Sequence, residues 1–471
     1  MAHTPLWNNI EVAQAVSPLH TVRRTWEASG VAIRSADVKP GDLFVALKGE
    51  LRDGHDFLHE AAARGASAAL VSRNPLGPVV QIPLVHVEDT KIALNRLGSA
   101  GRNRVSARIA AVTGSAGKTT TKEMLRWMLS GSAKTYATEG NLNNEYGVPL
   151  SLARMPSDVE YGVFELGMSE AGEIKQHSKL VRPHVAVITN VAAAHLEFFS
   201  SVDAIADAKA EIFEGLAPDG AAVVNRDSPY FDRIVSAAKR AGASQVRCFG
   251  RHTESDARLL GWTAQGTSME VRAAIFDRTL AFVLGAVGEH MALNCVAGLL
   301  AVSELGADLE QCTASLREFH AVGGRGNVLK VARADGHFTI IDDSYNANPT
   351  SVRAAIRLLA ETTEQIVGKR TLVLGDMLEL GPGAASLHAD LLEDLVAAKI
   401  DLVHCCGTLC KTLFDALPDS MRGFYAVDSA ALGLKVCSSV QTGDVVVIKG
   451  SRGSKMELVV NKLRNSGHSA N

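Results

Sequence analysis

The stretch GSAGKTTTK has the residue types of a loop that binds the phosphates of a nucleotide. Gly114 and Gly117 allow the backbone to turn so that its N–H groups point at a phosphate, and the helix that follows adds its positive N-terminus. Lys118 would reach the β- and γ-phosphates, and Thr119 would hold Mg²⁺. The usual phosphate-loop pattern has a glycine where Val112 stands. A glycine-rich turn that merely precedes a helix is therefore the alternative.

Three later stretches place a charged or metal-binding side chain near the end of a predicted strand or on a helix. Glu165 follows an apolar strand in ELGMSEAGE, and His195 follows another in ITNVAAAHLE. Lys209 and Glu211 lie on a predicted helix in DAKAEIFEGL. Each signal is weak by itself, because a lone His after a strand is more often a surface or capping residue and a lone Lys on a helix is usually solvated.

Two further stretches carry polar side chains at positions where a site could form. GEHMALN sets His290 and Asn294 four residues apart, on one face of a helix. IIDDSYNANP follows a predicted strand and ends in a proline, which is typical of a loop. The alternatives are an ordinary helix start and a polar turn whose Asp or Ser caps the next helix. The loop presents Asp343, Tyr345, Asn346 and Asn348.

Predicted strands alternate with predicted helices through most of the chain, which indicates mostly parallel sheets with helices on both faces. Ligands bind such sheets beyond the carboxyl ends of the strands, so the polar residues that end the strands should form the site. A Pro/Gly-rich segment, NPLGPVVQIP, and the cluster GGRG mark two domain boundaries. The predicted strands include residues 41–47, 68–72, 108–113, 161–166, 185–190, 221–225, 338–342, 371–376, 402–407 and 444–450.

Composition excludes several classes of protein. A length of 471 residues predicts about three domains, and 46% hydrophobic with 21% charged residues is normal for a globular protein. The formal net charge is −3 without a basic stripe, which argues against a nucleic-acid or anionic-membrane partner. Seven scattered cysteines favour a reduced, cytosolic protein. Neither a signal peptide nor a long apolar segment is evident, so we expect a cytoplasmic protein. We also expect a monomer.

Taken in order, eight stretches resemble the Mur ligase family, and the N-terminal KPGDLFVALKGELRDGHDF does so too. The resemblance covers nearly the whole chain. The family's ATP loop has its first glycine at the position of Gly114, which accounts for Val112. The eight stretches are GSAGKTTTK, GNLNNEYGVPL, ELGMSEAGEI, ITNVAAAHLE, AKAEIFEGL, DDSYNANP, LGDMLELG and IKGSRGSKME.

The resemblance implies a fold and a reaction. The fold is α/β with three domains: a small N-terminal UDP-substrate-binding domain (1–84), a central ATP-binding domain with a P-loop-type, mostly parallel sheet (85–325), and a C-terminal Rossmann-like domain (326–471). The reaction is ATP-dependent amide-bond formation, which joins D-alanyl-D-alanine to UDP-N-acetylmuramoyl-tripeptide through an acyl phosphate. In peptidoglycan synthesis this is the last cytoplasmic step that builds the pentapeptide precursor.

The resemblance also implies roles for single residues. Thr119 and Glu165 would serve one Mg²⁺ and His195 a second, while Lys209 aligns with a lysine that several members carry as a carbamate. An ordinary cationic lysine is the alternative. The implied catalytic residues are Lys118, Glu165, His195 and Lys209. The implied ATP-binding residues are Gly114, Ser115, Gly117, Lys118, Thr119, Thr120, Asn294, Arg325 and Asp343. The implied substrate-binding residues are Ser35, Asn141, Asn143, Asn144, Tyr345, Asn346 and Asn348.

In the family's DSR run near the UDP, Ser35 matches the serine, but Ala36 stands at the position of the arginine.

Other functions remain as alternatives. Within the fold, a MurE-like ligase would carry a DNPR-type run, where this chain has NANP. A folylpolyglutamate synthetase-like enzyme would not explain GNLNNEYGVPL or LGDMLELG. From a different class, a P-loop regulatory or transport NTPase should have glycine at position 112 and should hydrolyse ATP without an amine acceptor.

Overall fold

The computed structural model describes residues 5–20, 24–75, 78–194, 196–361 and 368–466. These residues form a two-stranded pair and three larger sheets of four, nine and six strands. The larger sheets follow one another along the chain, and each is built from strands that alternate with helices. The predicted α/β fold with three domains is confirmed.

The N-terminal part of the chain contains a small, fully parallel sheet. Its strands and helices are β1 (Trp7–Asn8), α1 (Asn9–Val16), β2 (Glu27–Ala28), β3 (Gly30–Ala32), β4 (Asp42–Val45), α2 (Leu58–Ala63), β5 (Ala68–Val71), β6 (Leu84–His86) and α3 (Thr90–Asn103). The sheet order is β3-β4-β5-β6, and β1 pairs with β2 separately. The predicted domain boundary between residues 84 and 85 falls within β6.

The central part contains the largest sheet, in the order β15-β14-β13-β12-β11-β10-β7-β9-β8. Its strands are β7 (Arg108–Thr113), β8 (Thr135–Ala137), β9 (Tyr161–Glu165), β10 (Val185–Ile188), β11 (Ala221–Asn225), β12 (Gln245–Gly250), β13 (Ala257–Gln265), β14 (Ser268–Ile275) and β15 (Arg278–Leu284). Its helices are α4 (Lys118–Ser130), α5 (Gly147–Arg154), α6 (Glu173–Val181), α7 (Val202–Ala210), α8 (Phe231–Arg240), α9 (Glu289–Glu304) and α10 (Leu309–Ser315).

Helices cover both faces of the central sheet, because its middle strands are apolar on both sides. Val112 of β7 packs into one cluster with side chains of α4 and α9. Its neighbour Ala111 packs into a second cluster with side chains of α5, α6 and α7. A strand that is buried on both faces reads as a continuous apolar run, which is why RIAAVT was recognisable in the sequence.

The far edge of the central sheet was not predicted. Strands β13, β14 and β15 form an antiparallel meander, although β13 itself joins β12 in parallel. Side chains alternate between buried and exposed along β14, which is the pattern of a strand with one face in water. Gly266 at the β13–β14 turn has a φ of +66°, a conformation that favours glycine.

The C-terminal part contains a six-stranded sheet in the order β16-β17-β21-β18-β19-β20. All its pairings are parallel except that of β16 with β17. Its strands are β16 (Asn327–Arg333), β17 (Gly336–Asp343), β18 (Arg370–Leu374), β19 (Leu402–Cys406), β20 (Arg422–Ala426) and β21 (Val445–Lys449). Its helices are α11 (Pro349–Glu361), α12 (Ala384–Ala389), α13 (Leu391–Ala397), α14 (Cys410–Ala416), α15 (Ser429–Cys437) and α16 (Glu457–Asn465).

Two further facts bear on the sequence-based expectations. The seven cysteines are free thiols. Within the described ranges, none of the helices has both the length and the apolar character needed to cross a membrane.

Glycines allow helices α3 and α5 to pack in direct backbone contact. A Cβ atom on Gly101 would lie 2.3 Å from the carbonyl oxygen of Leu152 and 3.3 Å from the Cα of Ala153. Backbone atoms cannot move aside as a flexible side chain can. This contact fixes α5, the helix that follows the loop carrying Asn141, Asn143 and Asn144.

Replacing Gly101 by alanine is expected to destabilise the protein. Overpacking costs about 1–3 kcal/mol, while the better helix propensity of alanine returns about 1 kcal/mol. The midpoint of urea unfolding should therefore fall. Gly383→Ala is the matched control, since a Cβ there meets nothing within 4 Å and the φ of Gly383 is −81°. An equal shift in both variants would contradict the packing argument.

Candidate active site

The loop between β7 and α4 requires both of its glycines. Gly114 has a φ of +152° and Gly117 a φ of +82°, and Gly117 is the N-cap of α4. A Cβ on Gly114 would lie 1.9 Å from Thr189 Oγ1, and one on Gly117 would lie 2.7 Å from Asn294 Oδ1. The loop therefore fits tightly between the residues after β10 and helix α9, and its backbone enters the N-terminus of α4.

Residues just beyond β10 fix the conformation of this loop. The N–H groups of Ser115 and Ala116 donate to the Asn190 carbonyl oxygen (3.0 Å) and to Asn190 Oδ1 (2.8 Å). Thr189 Oγ1 donates to the Ala116 carbonyl at 2.5 Å, and Ser115 Oγ donates to the Ala192 carbonyl at 3.0 Å. The loop is held in its bent form by protein contacts alone, which reduces the ordering cost of binding a phosphate.

Lys118 bends back over the loop that precedes it. Its Nζ donates to the Gly114 carbonyl at 2.8 Å. Burial lowers the pKa of Lys118, the negative charge of Glu165 opposes this shift, and the positive charge of Arg325 adds to it. Arg325, which follows helix α10 in sequence, is therefore close enough for its charge to act on Lys118 in the ATP-loop region.

Thr119 and Glu165 meet at the carboxyl ends of the neighbouring strands β7 and β9. Thr119 Oγ1 donates to Glu165 Oε2 at 2.6 Å, and Asn143 Nδ2 donates to Glu165 Oε1 at 2.7 Å. Glu165 is only 1% exposed. A hydroxyl and a carboxylate are the oxygen donors that Mg²⁺ prefers, so this pair fits the metal-binding role. Among the described residues, no group of three or more His, Cys, Asp or Glu side chains is arranged as a metal site.

Lys209 lies in the last turn of α7, whose N-cap is Ser201. Its side chain is 2% exposed. Burial holds the pKa of Lys209 well below its usual range, and the positive charge of Lys118 lowers it further. The two lysines are therefore electrostatic neighbours, and the amine of Lys209 is kept unprotonated far more readily than a surface lysine.

Helix α9 and the C-terminal sheet face each other beside this loop. Asn294 of α9 contacts Gly117, and the pKa of His290 is lowered by burial, against the opposing charge of Asp343. Asp343 ends β17 and pairs with Lys449 Nζ at 2.5 Å. The residues expected from the central and C-terminal parts of the chain are thus brought to one place.

Tyr345 is held by two guanidinium groups. Arg325 lies over its ring at 4.0 Å from the centroid, and Arg452 lies at 5.4 Å. Cation–π contacts of this kind fix both partners in orientation. Tyr345 therefore serves as a support for Arg325, in addition to any contact with substrate.

Several predicted substrate residues have structural partners within the protein. Asn144 Oδ1 accepts from the Gly147 N–H at 2.9 Å, at the start of α5, and Asn346 Oδ1 accepts from the Ala347 N–H at 2.9 Å. Ser35 Oγ donates to Glu60 Oε2 at 2.9 Å. Asn141 is exposed on the loop before α5, which also carries Asn144. These hydrogen bonds within the protein are a structural reason for the polar side chains at these positions. The binding roles of these residues stay predictions.

Asn348 joins the C-terminal part to the ATP loop. Its Oδ1 accepts from the Ser351 N–H at 2.9 Å, in the first turn of α11. Its Nδ2 donates to the Ser115 carbonyl at 3.2 Å. Asn348 is 6% exposed, so both ends of its amide are used inside the protein.

Two expected residues remain, Thr120 and His195. Thr120 is buried on α4. His195 lies outside the described residues. The sequence does not identify Thr189, which directly follows β10 and lies within the predicted strand 185–190. Glu211 starts a short 3-10 helix after α7, and its carboxylate accepts from the Gly172 N–H at 2.8 Å, so it caps α6.

Comparison with known proteins agrees with this arrangement. Three models match the chain: the Mur ligase family catalytic domain over residues 27–102, the Mur ligase middle domain over 112–302, and the Mur ligase glutamate ligase domain over 324–452. The UDP-N-acetylmuramoyl-tripeptide–D-alanyl-D-alanine ligase of Escherichia coli K12 is 38% identical over 91% of this chain and 92% of its own length. The ligase of the same name from Rickettsia prowazekii is 31% identical over 97% and 99%.

Solved structures give the same result. A crystal structure of MurF from Acinetobacter baumannii has a TM-score of 0.86 and 32% identity, covering 99% of this chain and all of that one. MurF from Thermotoga maritima, solved with ADP, has a TM-score of 0.79 and 30% identity, covering 94% and 98%. The sequence, the three sheets and the residues around the ATP loop lead to one conclusion: this chain belongs to the Mur ligase family.

Proposed function

We propose that this chain joins D-alanyl-D-alanine to UDP-N-acetylmuramoyl-tripeptide, with conversion of ATP to ADP and phosphate. The observation that carries the proposal is the alignment with ligases of that name, which spans nine tenths or more of both chains. The chemistry of the site is consistent with it, because a buried carboxylate, a threonine and two lysines surround a loop suited to phosphates.

The reaction has two steps. An oxygen of the tripeptide carboxylate attacks the γ-phosphorus of ATP, and ADP leaves, so the carboxylate becomes an acyl phosphate. The amine of the dipeptide then attacks the acyl carbon, the nitrogen loses a proton, and phosphate leaves. Phosphorylation is needed because a free carboxylate repels a nucleophile and has no leaving group. The protein's part in the first step is mostly positioning and neutralisation of charge.

Lys118 and the loop supply the fixed part of that neutralisation. The N–H groups at the start of α4 would face the phosphates, and the Lys118 ammonium lies at the same end of the helix. Asn294, Arg325 and Asp343 complete our proposed nucleotide site, with Ser115 and Thr120 on the loop side. Sites assembled from two domains also keep water away from a labile acyl phosphate.

Thr119 and Glu165 are the residues that would hold Mg²⁺, with His195 proposed for a second ion. A bound metal would supply positive charge that offsets the repulsion between the phosphates and the substrate carboxylate. Asn143 fixes one oxygen of Glu165 and leaves the orientation of the other to Thr119. The buried threonine and carboxylate thus enter the reaction already aligned.

Lys209 is proposed to act as a carbamate. The lowered pKa supports this role, since only an unprotonated amine can react with CO₂. The product is an anion beside the Lys118 cation, so the reaction converts a repulsion into an attraction. The same anion would add to the negative groups that hold the metal.

The substrate sites are proposed from the resemblance to the family. Ser35, Asn141, Asn143 and Asn144 are proposed to face the UDP-muramoyl-tripeptide, and Tyr345, Asn346 and Asn348 the dipeptide side. We also propose that the protein acts as a monomer. ATP and a nucleotide-linked precursor as substrates support a place in the cytoplasm.

The alternatives have less support. A diaminopimelate-adding ligase is 16% identical with a TM-score of 0.53, a likeness in fold alone. A folylpolyglutamate synthetase is 15% identical with a TM-score of 0.55. A P-loop regulatory or transport NTPase gains no observation in its favour.

Phosphate release tests the proposal. Purified protein with ATP, Mg²⁺ and the tripeptide nucleotide, carrying either meso-diaminopimelate or lysine as third residue, should release phosphate only when D-alanyl-D-alanine is added. The released phosphate should equal the pentapeptide nucleotide formed, as measured by mass spectrometry. L-alanyl-L-alanine is the matched control. Release that ignores the D-dipeptide would overturn the proposal.

A further inference from the structure

Lys122 is a lysine buried in the centre of the ATP-binding part. It lies on α4, one turn after Lys118, and its side chain is 0% exposed. A buried ammonium is tolerated only when its donors are satisfied. Lys122 Nζ donates to the carbonyls of Thr138 (2.7 Å) and Gly140 (3.2 Å) and pairs with Glu123 Oε1 at 2.7 Å. Its three donors thus meet three acceptors.

Two of these acceptors belong to one loop, residues 138–144, between β8 and α5. The loop begins where the Thr138 N–H donates to the Val163 carbonyl at 2.9 Å, and it ends at Asn144, whose Oδ1 accepts from the Gly147 N–H at the start of α5. Within this loop, Lys122 Nζ donates to the carbonyls of Thr138 and Gly140. Carbonyl oxygens that converge on one point repel each other, so a cation is needed to hold them in this arrangement.

The same loop delivers Asn143 to Glu165. Asn143 Nδ2 donates to Glu165 Oε1 at 2.7 Å, and the Asn143 carbonyl accepts from the Gly167 N–H at 2.8 Å. A Cβ on Gly167 would lie 2.8 Å from Asn143 Oδ1, so the space for the asparagine is closely defined. A shift of the loop would move the amide away from the carboxylate that it orients.

We propose that Lys122 is a positioning residue, which holds loop 138–144 so that Asn143 orients Glu165 and the loop faces the tripeptide nucleotide. The substrate part of this inference rests on the proposed function. The positioning of the loop by Lys122 does not rest on it, because the contacts of Lys122 and Asn143 lie within the protein. Among the hydrogen bonds and ion pairs of the described residues, the side chain of Lys122 makes none to the ATP loop, so its effect should differ from that of Lys118.

Lys122→Met tests the inference. Methionine is of similar length without charge, and Glu123 keeps its ion pair with Arg126 at 2.7 Å. We expect the KM for the tripeptide nucleotide to rise about tenfold or more, because small misplacements of positioning groups near a reacting centre have effects of at least this size. The KM for ATP should rise by less than that, because Lys118 and the ATP loop keep their own contacts and only the orientation of Glu165 is lost. A residue with only a structural role would lower the unfolding temperature and leave the ratio of the two KM values unchanged.

Hydrogen exchange gives a second readout that needs no substrate. In the ligand-free protein, Lys122→Met should speed the exchange of amides in loop 138–144 and leave the amides of α9 unchanged. Lys134→Met is the matched control, because Lys134 is an exposed partner of Asp158 near β8. Unchanged loop exchange in Lys122→Met would overturn the positioning role, even if the proposed reaction is correct.

A double-mutant cycle links the two ends of the contact. If Lys122 acts through Asn143, the effects of Lys122→Met and Asn143→Ala on the KM for the tripeptide nucleotide should not add. Fully additive effects would overturn the coupling. If the methionine variant fails to fold, Lys122→Gln removes the charge with a polar side chain, and the same exchange measurement with the same opposing outcome applies to it.

Discussion

Replacing Lys209 by alanine is expected to lower the rate of dipeptide-dependent phosphate release by about a hundredfold or more, the size of losing one electrostatic group at a reacting centre. Short carboxylic acids, such as formate or acetate, are expected to restore part of the rate. The reason is that the added carboxylate can enter the space of the missing carbamate. Rate measurements over a series of acid concentrations check both parts.

The control for this prediction is a lysine on the surface. Lys179 of α6 has a side chain that is 55% exposed and pairs with Glu214. Lys179→Ala should keep the full rate and should not respond to added acid. Full activity of Lys209→Ala without acid would refute the carbamate role. A ¹³C NMR spectrum of the wild-type protein in ¹³C-bicarbonate that shows no carbamate signal would refute it independently.

Lys118→Met is expected to lower kcat by about a thousandfold, the upper end for removing one preorganised group that stabilises transition-state charge. The Lys118 ammonium lies against the loop, and its hydrogen bond to Gly114 helps to shape the phosphate site. Loss of the charge should therefore weaken ATP binding and slow phosphoryl transfer. The rate is measured by the same phosphate assay, and ATP binding by calorimetry.

Lys239→Met is the control for Lys118→Met, because Lys239 is exposed in the last turn of α8. It should change neither ATP affinity nor rate. A Lys118→Met enzyme with normal kcat would be incompatible with a phosphate-binding role for the loop. Circular dichroism of both variants should match that of the parent protein.

The parallel strands and the ATP loop could be predicted because their signals are local. Strands β7 and β11 have the predicted bounds, since each is a continuous apolar run that ends in a polar residue. The glycines of the loop were recognisable for the same reason. The meander of β13, β14 and β15 was not, because its sequence is half polar and its strands are defined by pairing with one another.

Contacts between distant residues could not be predicted. GNLNN contains three asparagines, yet Asn141 is exposed, Asn143 orients Glu165, and Asn144 accepts a hydrogen bond from the first amide of α5. Which asparagine does what depends on the position of β9, which lies later in the chain. Burial of Lys122 is a further example, because a lysine on a helix is normally solvated.

The amide of Asn348 ties the C-terminal sheet to the loop that precedes α4, since its oxygen caps α11 and its nitrogen holds the Ser115 carbonyl. A ligand that stabilises this form of the loop must also stabilise the docked position of α11. By thermodynamic reciprocity, docking raises the affinity for that ligand by the same factor. Nucleotide affinity and the docking equilibrium of the C-terminal sheet therefore measure one coupling free energy from its two ends.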